Sequence, residues 1–297
     1  MVEKNTPSRI GFNILNYGCM LLFAVVCFLP FWHVLMCSIS EPRLLMANSG
    51  LVLWPLGKPT LDGYKMVLQN KDIWSGYGNT FVYVFSTALL GTFMTALAGF
   101  LISRKNFKLT KPLTIFIVFT MIFSAGTIPT YMVVRSLGML NTRWAIIVPS
   151  LMNAYYVIMM KSAFDQLSPS YEEAARLDGA GPLAILFKVL LPMVKPTLVV
   201  IIMFTVIMQW NSWYTASIYL PRARDMWPLQ LFMREALINN DTSKLVTTAG
   251  EANAMVNMTG NLVKYCVTVV GTAPILLAYP FAQKYFVKGV TMGGVKE

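Results

Sequence analysis

Long apolar runs alternate along this chain with short polar links punctuated by Gly and Pro. The runs fall near 17–39, 78–102, 112–134, 144–160, 194–213 and 265–287. Each approaches or exceeds the roughly twenty residues that an α-helix needs to cross a hydrocarbon layer. Lipid offers no water to backbone amides, so such runs have to be helical. The pattern predicts an all-α polytopic bundle of six transmembrane helices forming a single transmembrane domain over 1–297. The first run is too long for a signal-peptide core and no small-residue cleavage pattern follows it, so it is expected to be retained. Pro30, Pro129, Pro149, Pro196, Pro274 and Pro280 lie within or beside the runs. Kinks there are tolerated where neighbouring helices or cavity water satisfy the freed carbonyls, which favours a bundle around a pathway.

Composition agrees, with hydrophobic residues at 56% and charged residues at only 12% of the 297, far from soluble proportions. Six spans put both termini on one side. Arg104, Lys105, Lys108 and Lys111 crowd the second link without one acid, which marks that side, the termini and the 161–193 loop as cytoplasmic. The formal net charge of +11 then calls for anionic lipid headgroups, not for nucleic acid. Outward connections of about 40–77 and 214–264 remain. The second holds Trp227 to Leu237 at helical spacing, which fits either an interfacial helix or a contact with an external protein.

The densest polar signal is residues 172–192, a charged block between apolar runs. Ser168 can cap a helix whose first turn carries Pro169, Glu172 and Glu173. Gly179 stops it. About ten residues do not hold a helix alone in water, so this one needs a surface to pack on. Tyr171, Ala174, Ala175 and Asp178 share a face at helical spacing, and the two alanines permit close approach. A second short helix can start at Pro182 and run into the next span.

Glu173-Ala174-Ala175, then Gly179, then Val189, Leu191 and Pro192 resembles the loop signature of permease subunits of binding-protein-dependent ABC importers, with Val189 replacing the usual Ile. The likeness sharpens to the carbohydrate branch, the second permease of maltose-type importers and its oligosaccharide and polysaccharide relatives. It is carried by Thr60 to Tyr64, Asn79-Thr80, Gly126 to Tyr131, Trp210-Asn211 and the tail from Gln283 to Lys296. The resemblance implies a bacterial cytoplasmic-membrane protein that forms half of a sugar-translocation pore. Its implied partners are a second permease, two ATPase subunits and an extracytoplasmic sugar-binding protein. It implies too that Glu173 pairs with a basic residue of the ATPase, that Ala174 and Ala175 fill its cleft, and that Gly179 turns the chain beside Asp178. Thr291, Met292, Gly293 and Gly294 would reach along the ATPase interface; composition alone makes the same tail a frayed, Gly-rich end.

Missing chemistry narrows the reading. The chain has no Gly-x-x-x-x-Gly-Lys-Ser/Thr phosphate loop, so ATP and Mg are expected in the partner and no cofactor in this chain. Zincin and serine-hydrolase motifs are absent, so the chain is not expected to be an enzyme. Cys19, Cys27, Cys37 and Cys266 lack metal-ligand spacing, and no metal site is expected. The central parts of the spans carry no Asp, Glu, Lys or Arg, which disfavours an ion-coupled secondary transporter; that class and a non-transporting membrane scaffold are the alternatives. Trp210, Asn211, Trp213 and Tyr214 cluster where the fifth run ends. They fit a sugar path, because aromatic faces stack on sugar rings, or an aromatic interface belt. Three-residue spacing puts Trp210 and Trp213 near one helix face.

Overall fold

The structure is a computed structural model that describes residues 7–104, 107–238 and 253–294, all helices and connecting segments with no strand among them. Both chain ends and Lys105 lie outside the described residues. Three helices are long and apolar enough to cross a membrane: Pro7–Ser38, Lys71–Ser103 and the Gly260–Ala278 part of the last helix. Three bent helix pairs bring the number to six if each pair is one span.

The bends fall at the third, fourth and fifth runs, and each has a local cause. Thr110–Ile122 and Thr127–Ser136 meet at 118°. Between them Gly126 adopts φ 85° and ψ −179°, a region essentially closed to residues with a Cβ. Trp144–Ser150 and Ala154–Asp165 meet at 41° after a 3-10 turn containing Pro149. The helix begun at Pro182 does not run straight on: Pro182–Met193 turns by 87° into Lys195–Trp210. Pro192 and Pro196 flank that corner, each lacking an N–H and crowding the preceding turn.

The chain forms two compact units, Met1–Lys71 with Glu235–Thr272, and Asp72–Arg234 with Ala273–Glu297. In the first, most of Pro7–Ser38 exposes apolar side chains and only Met36, Cys37 and Ser38 are buried, as a lipid-facing helix requires. Its end is pinned by the loop that follows. Trp32 Nε1 donates to the Leu53 carbonyl (2.9 Å), and the Val52 N–H donates to His33 Nδ1 (3.0 Å), which makes His33 a structural acceptor. Ser38 and Tyr64 share a hydroxyl hydrogen bond of 2.6 Å. The short helix Asp62–Gln69 lies against Leu262 and Cys266, where a Cβ on Gly63 would come within 2.6 Å of the Cys266 sulfur.

The second unit is organised along Lys71–Ser103. Its middle widens to a π-turn at Thr87–Gly91, and there the Thr87 hydroxyl donates to the Tyr83 carbonyl (2.7 Å), which gives that carbonyl a partner as the turn opens. Near its C-terminal end the helix packs on Ala154–Asp165 at very short range: a Cβ on Gly99 would lie 2.8 Å from Met160 Cγ and 3.1 Å from the Lys161 nitrogen. Small residues permit such approach between membrane helices. One apolar cluster there joins Phe100, Met160, Phe164, Ile185, Leu186 and Leu190. Toward the other end a second cluster joins Tyr83, Val134, Ile146, Tyr219, Leu220 and Leu231.

Candidate functional site

The loop helix runs Pro169–Leu177. Ser168 caps it by accepting from the Ser170 N–H (3.4 Å). At the far end Gly179 takes φ 78°, with Gly179 N–H donating to Arg176 O (3.0 Å) and Ala180 N–H to Ala175 O (2.9 Å). This pair of bonds is a Schellman closure, which satisfies the last carbonyls.

Tertiary packing divides the polar face. Ala175 is buried in the cluster of Phe100, Met160 and Leu186, so it anchors the helix on its own chain. Tyr171, Glu173, Ala174 and Asp178 are exposed, as is Gly179. The shared face expected for Ala175 with Tyr171, Ala174 and Asp178 is therefore split, because the apolar cluster draws the one alanine in. Glu172, one position from Glu173, turns inward and accepts from two guanidiniums. One is Arg104, at the end of the long helix; the other is Arg176, one turn on, at 2.6 Å. Arg104 is itself held, its Nη2 donating to Ser103 Oγ at 2.9 Å and its guanidinium carbon lying 4.9 Å from the Phe100 ring centroid. Glu173 makes no ion pair among the described residues, so its charge faces outward. A pocket of about 420 Å³ opens beside the helix, lined by Arg104, Asp165, Ser168, Glu172, Glu173 and Arg176 among others.

A second polar network sits toward the N-terminal end of the same long helix. Asn79 Nδ2 donates to the Asp225 carbonyl (2.7 Å) and the Trp227 carbonyl (3.1 Å), while its Oδ1 accepts from Arg143 (3.1 Å). Thr80 Oγ1 accepts from the Leu229 N–H (2.9 Å), Tyr83 donates to the Met226 carbonyl (2.7 Å), and Arg224 pairs with Asp72 (3.2 Å). At about 1.5 Å per residue, Asn79 and Arg104 lie on the order of 35–40 Å apart along the helix. The segment from Trp227 to Leu237, helical from Leu229, is therefore packed on its own chain and is not a free interfacial helix. Leu229, Leu231 and Phe232 are buried, and Gly76 admits the Leu229 backbone, which a Cβ would meet at 3.0 Å.

The aromatic cluster is redistributed. The helix ends at Trp210, with Asn211 as its C-cap, and Trp213 starts the next helix, Tyr214–Tyr219. Trp210 and Trp213 thus do not share one helix. Trp210 is 4% exposed and packs on Tyr77 and Phe81, with centroids 6.2 and 5.6 Å away. Asn211 Nδ2 donates to the Ile207 carbonyl (2.9 Å). Trp213 and Tyr214 remain accessible, edge to face at 5.6 Å, and the Arg234 guanidinium carbon sits 3.9 Å from the Trp213 ring centroid. Arg104, Glu172 as an inward anchor, and Arg234 are not legible as site residues; the only signal is the basic Arg104 at the end of the second run, since Arg234 lies mid-helix in Leu229–Ile238. Thr291, Met292, Gly293 and Gly294 continue the helix Asn253–Gly294 in backbone, and their side chains lie outside the described residues. Among the described residues no three His, Cys, Asp or Glu side chains cluster to hold a metal.

Comparison with known proteins accounts for this arrangement. Residues 74–292 match the family described as binding-protein-dependent transport system inner membrane component. The chain is 35% identical over 290 residues to the polygalacturonan/rhamnogalacturonan transport system permease protein YtcP of Bacillus subtilis (strain 168), covering 96% of this chain and 98% of that protein. It is 34% identical over 295 residues to protein LplC of the same organism, covering 98% and 97%. A chain from the crystal structure of a bacterial ABC transporter involved in the import of the acidic polysaccharide alginate superposes with a TM-score of 0.85 at 29% identity, covering 96% of this chain and all of that one.

Proposed function

This chain belongs to the binding-protein-dependent transport system inner membrane components, and from that premise we propose how it works as a sugar-importer permease. It is a multi-pass transport subunit and not an enzyme. Its relatives are permeases of sugar and polysaccharide importers. In the proposed assembly it pairs with a second permease to enclose the pathway, receives cargo from an external binding protein, and rests on two ATPase subunits that bind ATP and Mg. The loop helix lies on the cytoplasmic side with both termini.

The observation that carries this reading is the loop helix itself. It is short, capped at both ends, anchored inward through Ala175 and Glu172, and free outward at Glu173, Ala174 and Asp178. A helix anchored on one side and presenting charge on the other moves as a lever. Closure of an ATPase dimer around its outer face transmits displacement through Arg104 into Lys71–Ser103, whose other end holds the 225–229 segment. Glu173 supplies the outward charge for a basic residue of the ATPase.

Reconstitution tests this. The four-subunit complex in liposomes, with its binding protein outside and ATP inside, is expected to accumulate saccharide, and to stop when ATP is omitted. Uptake by this chain without the ATPase would assign it to the secondary transporters, and no flux with any partner would make it a scaffold.

A further inference from the structure

In the second unit, residues 125–150 and 211–234 carry Arg135, Arg143, Arg222, Arg224 and Arg234 with no lysine, against one acid, Asp225. Guanidinium differs from ammonium in being planar, weakly hydrated and matched to the two oxygens of a carboxylate. Two of the five are spent within the fold: Arg143 donates to Asn79 and Arg224 pairs with Asp72. Arg234 is different. Half-buried, it lies over the Trp213 face at 3.9 Å, and its N–H donors meet no acceptor among the described residues. The cation–π contact holds the guanidinium in place without using its N–H donors, which lowers the ordering cost of accepting a bidentate ligand. Beside Trp213, edge to face at 5.6 Å, stands Tyr214, half exposed, with its hydroxyl 3.5 Å from the Thr127 hydroxyl. An aromatic ring and two hydroxyls next to an unspent guanidinium suit a sugar ring that bears a carboxylate.

We propose that Arg234, held over the Trp213 ring, reads a carboxylate of the transported saccharide, so that the cargo is an acidic, uronate-bearing oligosaccharide. This rests on the importer reading above. Trp213 is a positioning residue: it carries the guanidinium. Neutral oligosaccharides of the same length are excluded because they leave the guanidinium desolvated without an anion, and a site built around a buried polar group discriminates strongly against a ligand that lacks its partner.

The test uses the complete transporter in liposomes with its own binding protein, and three probes: trigalacturonate, its methyl ester and maltotriose. Wild type is expected to take up trigalacturonate in preference to the other two. Arg234→Gln is expected to lower trigalacturonate uptake about tenfold or more, the scale of one lost charge-assisted bidentate contact. It should leave ATP hydrolysis stimulated by the ligand-free binding protein unchanged. Arg234→Lys, which keeps the charge and loses the fork, should recover only part of the rate. Because the binding protein is the same throughout, the difference between variants belongs to this chain. Wild-type preference for the methyl ester or maltotriose would overturn the proposal, as would unchanged acid uptake by Arg234→Gln. An equal fall for every saccharide transported would overturn it too, and would make Arg234 a packing or lipid-phosphate anchor. Absence of any flux would instead overturn the importer reading and this proposal with it.

Discussion

Arg104 and Glu172, 68 residues apart in the chain, form a half-buried ion pair that ties the end of the long helix Lys71–Ser103 to the first turn of the loop helix. Their side chains are 20% and 14% exposed. Phe100 and Ser103 orient the guanidinium from one side, and Arg176 supplies a second donor to the carboxylate from the other. Covalent connectivity links the loop helix only to the spans before and after it. The ion pair, together with the packing of Ala175 near Phe100, adds a third link, to the long helix Lys71–Ser103.

If that link transmits force, Arg104→Ala should uncouple hydrolysis from uptake. Removing one partner of a half-buried pair costs about 1–3 kcal/mol, because the other charge is left desolvated. The exchange Arg104→Glu with Glu172→Arg should restore part of the coupling. ATP consumed per saccharide imported measures it; a ratio unchanged in Arg104→Ala removes the pair from the transmission path.

Glu173→Lys should act differently, since Glu173 faces outward while Glu172 faces in. The folded permease is expected to keep its thermal stability within about 0.5 kcal/mol, as for other surface changes, and to lose co-purification with the ATPase or coupled transport. Wild-type assembly and transport would show that the ATPase does not use this carboxylate.

Gly99 permits the close packing of the long helix on Ala154–Asp165. Gly99→Val places methyl groups where Met160 and the Lys161 backbone already stand, and overpacking of this kind costs about 1–3 kcal/mol or more. Thermal unfolding in detergent should show the drop. Gly18→Val, with nothing within 4 Å of its built Cβ, should show little.

Trp210 and Trp213 should separate in their effects. Trp210→Ala empties a packed site against Tyr77 and Phe81, for which about 3–5 kcal/mol is typical, and should reduce the yield of folded protein. Trp213→Ala should preserve yield while lowering saccharide uptake. Loss of folded protein in Trp213→Ala, or unaltered uptake, would assign that residue to the membrane-interface belt.

The basic link predicts orientation. A reporter inserted after Lys108 or Ser168 should be cytoplasmic and one after Arg222 external. Lys108 and Arg222 on the same face would refute the count of one span for each bent pair.

What the sequence determines by itself is everything governed by local chemistry. Apolar runs without charge have to be helices, since lipid leaves backbone amides no other partner. Ser168, Pro169 and Gly179 bound the loop helix because capping needs only adjacent atoms. The spacing from Glu173 to Pro192 identifies the family for the same reason: a contiguous loop keeps its chemistry within twenty residues of sequence. Tertiary structure decides which side each residue faces. Glu172 and Glu173 are chemically alike and equally suited to a helix start; only Arg104, arriving from another helix, turns one inward and leaves the other for a partner. Ala174 and Ala175 divide in the same way, through the apolar cluster at Phe100 and Met160. The helix break at Asn211 depends on how that helix stops against its neighbours, so Trp210 becomes core and Trp213 a platform for Arg234. Helical spacing extrapolates a straight helix and knows nothing of where that helix ends or of which distant side chain completes a charge pair.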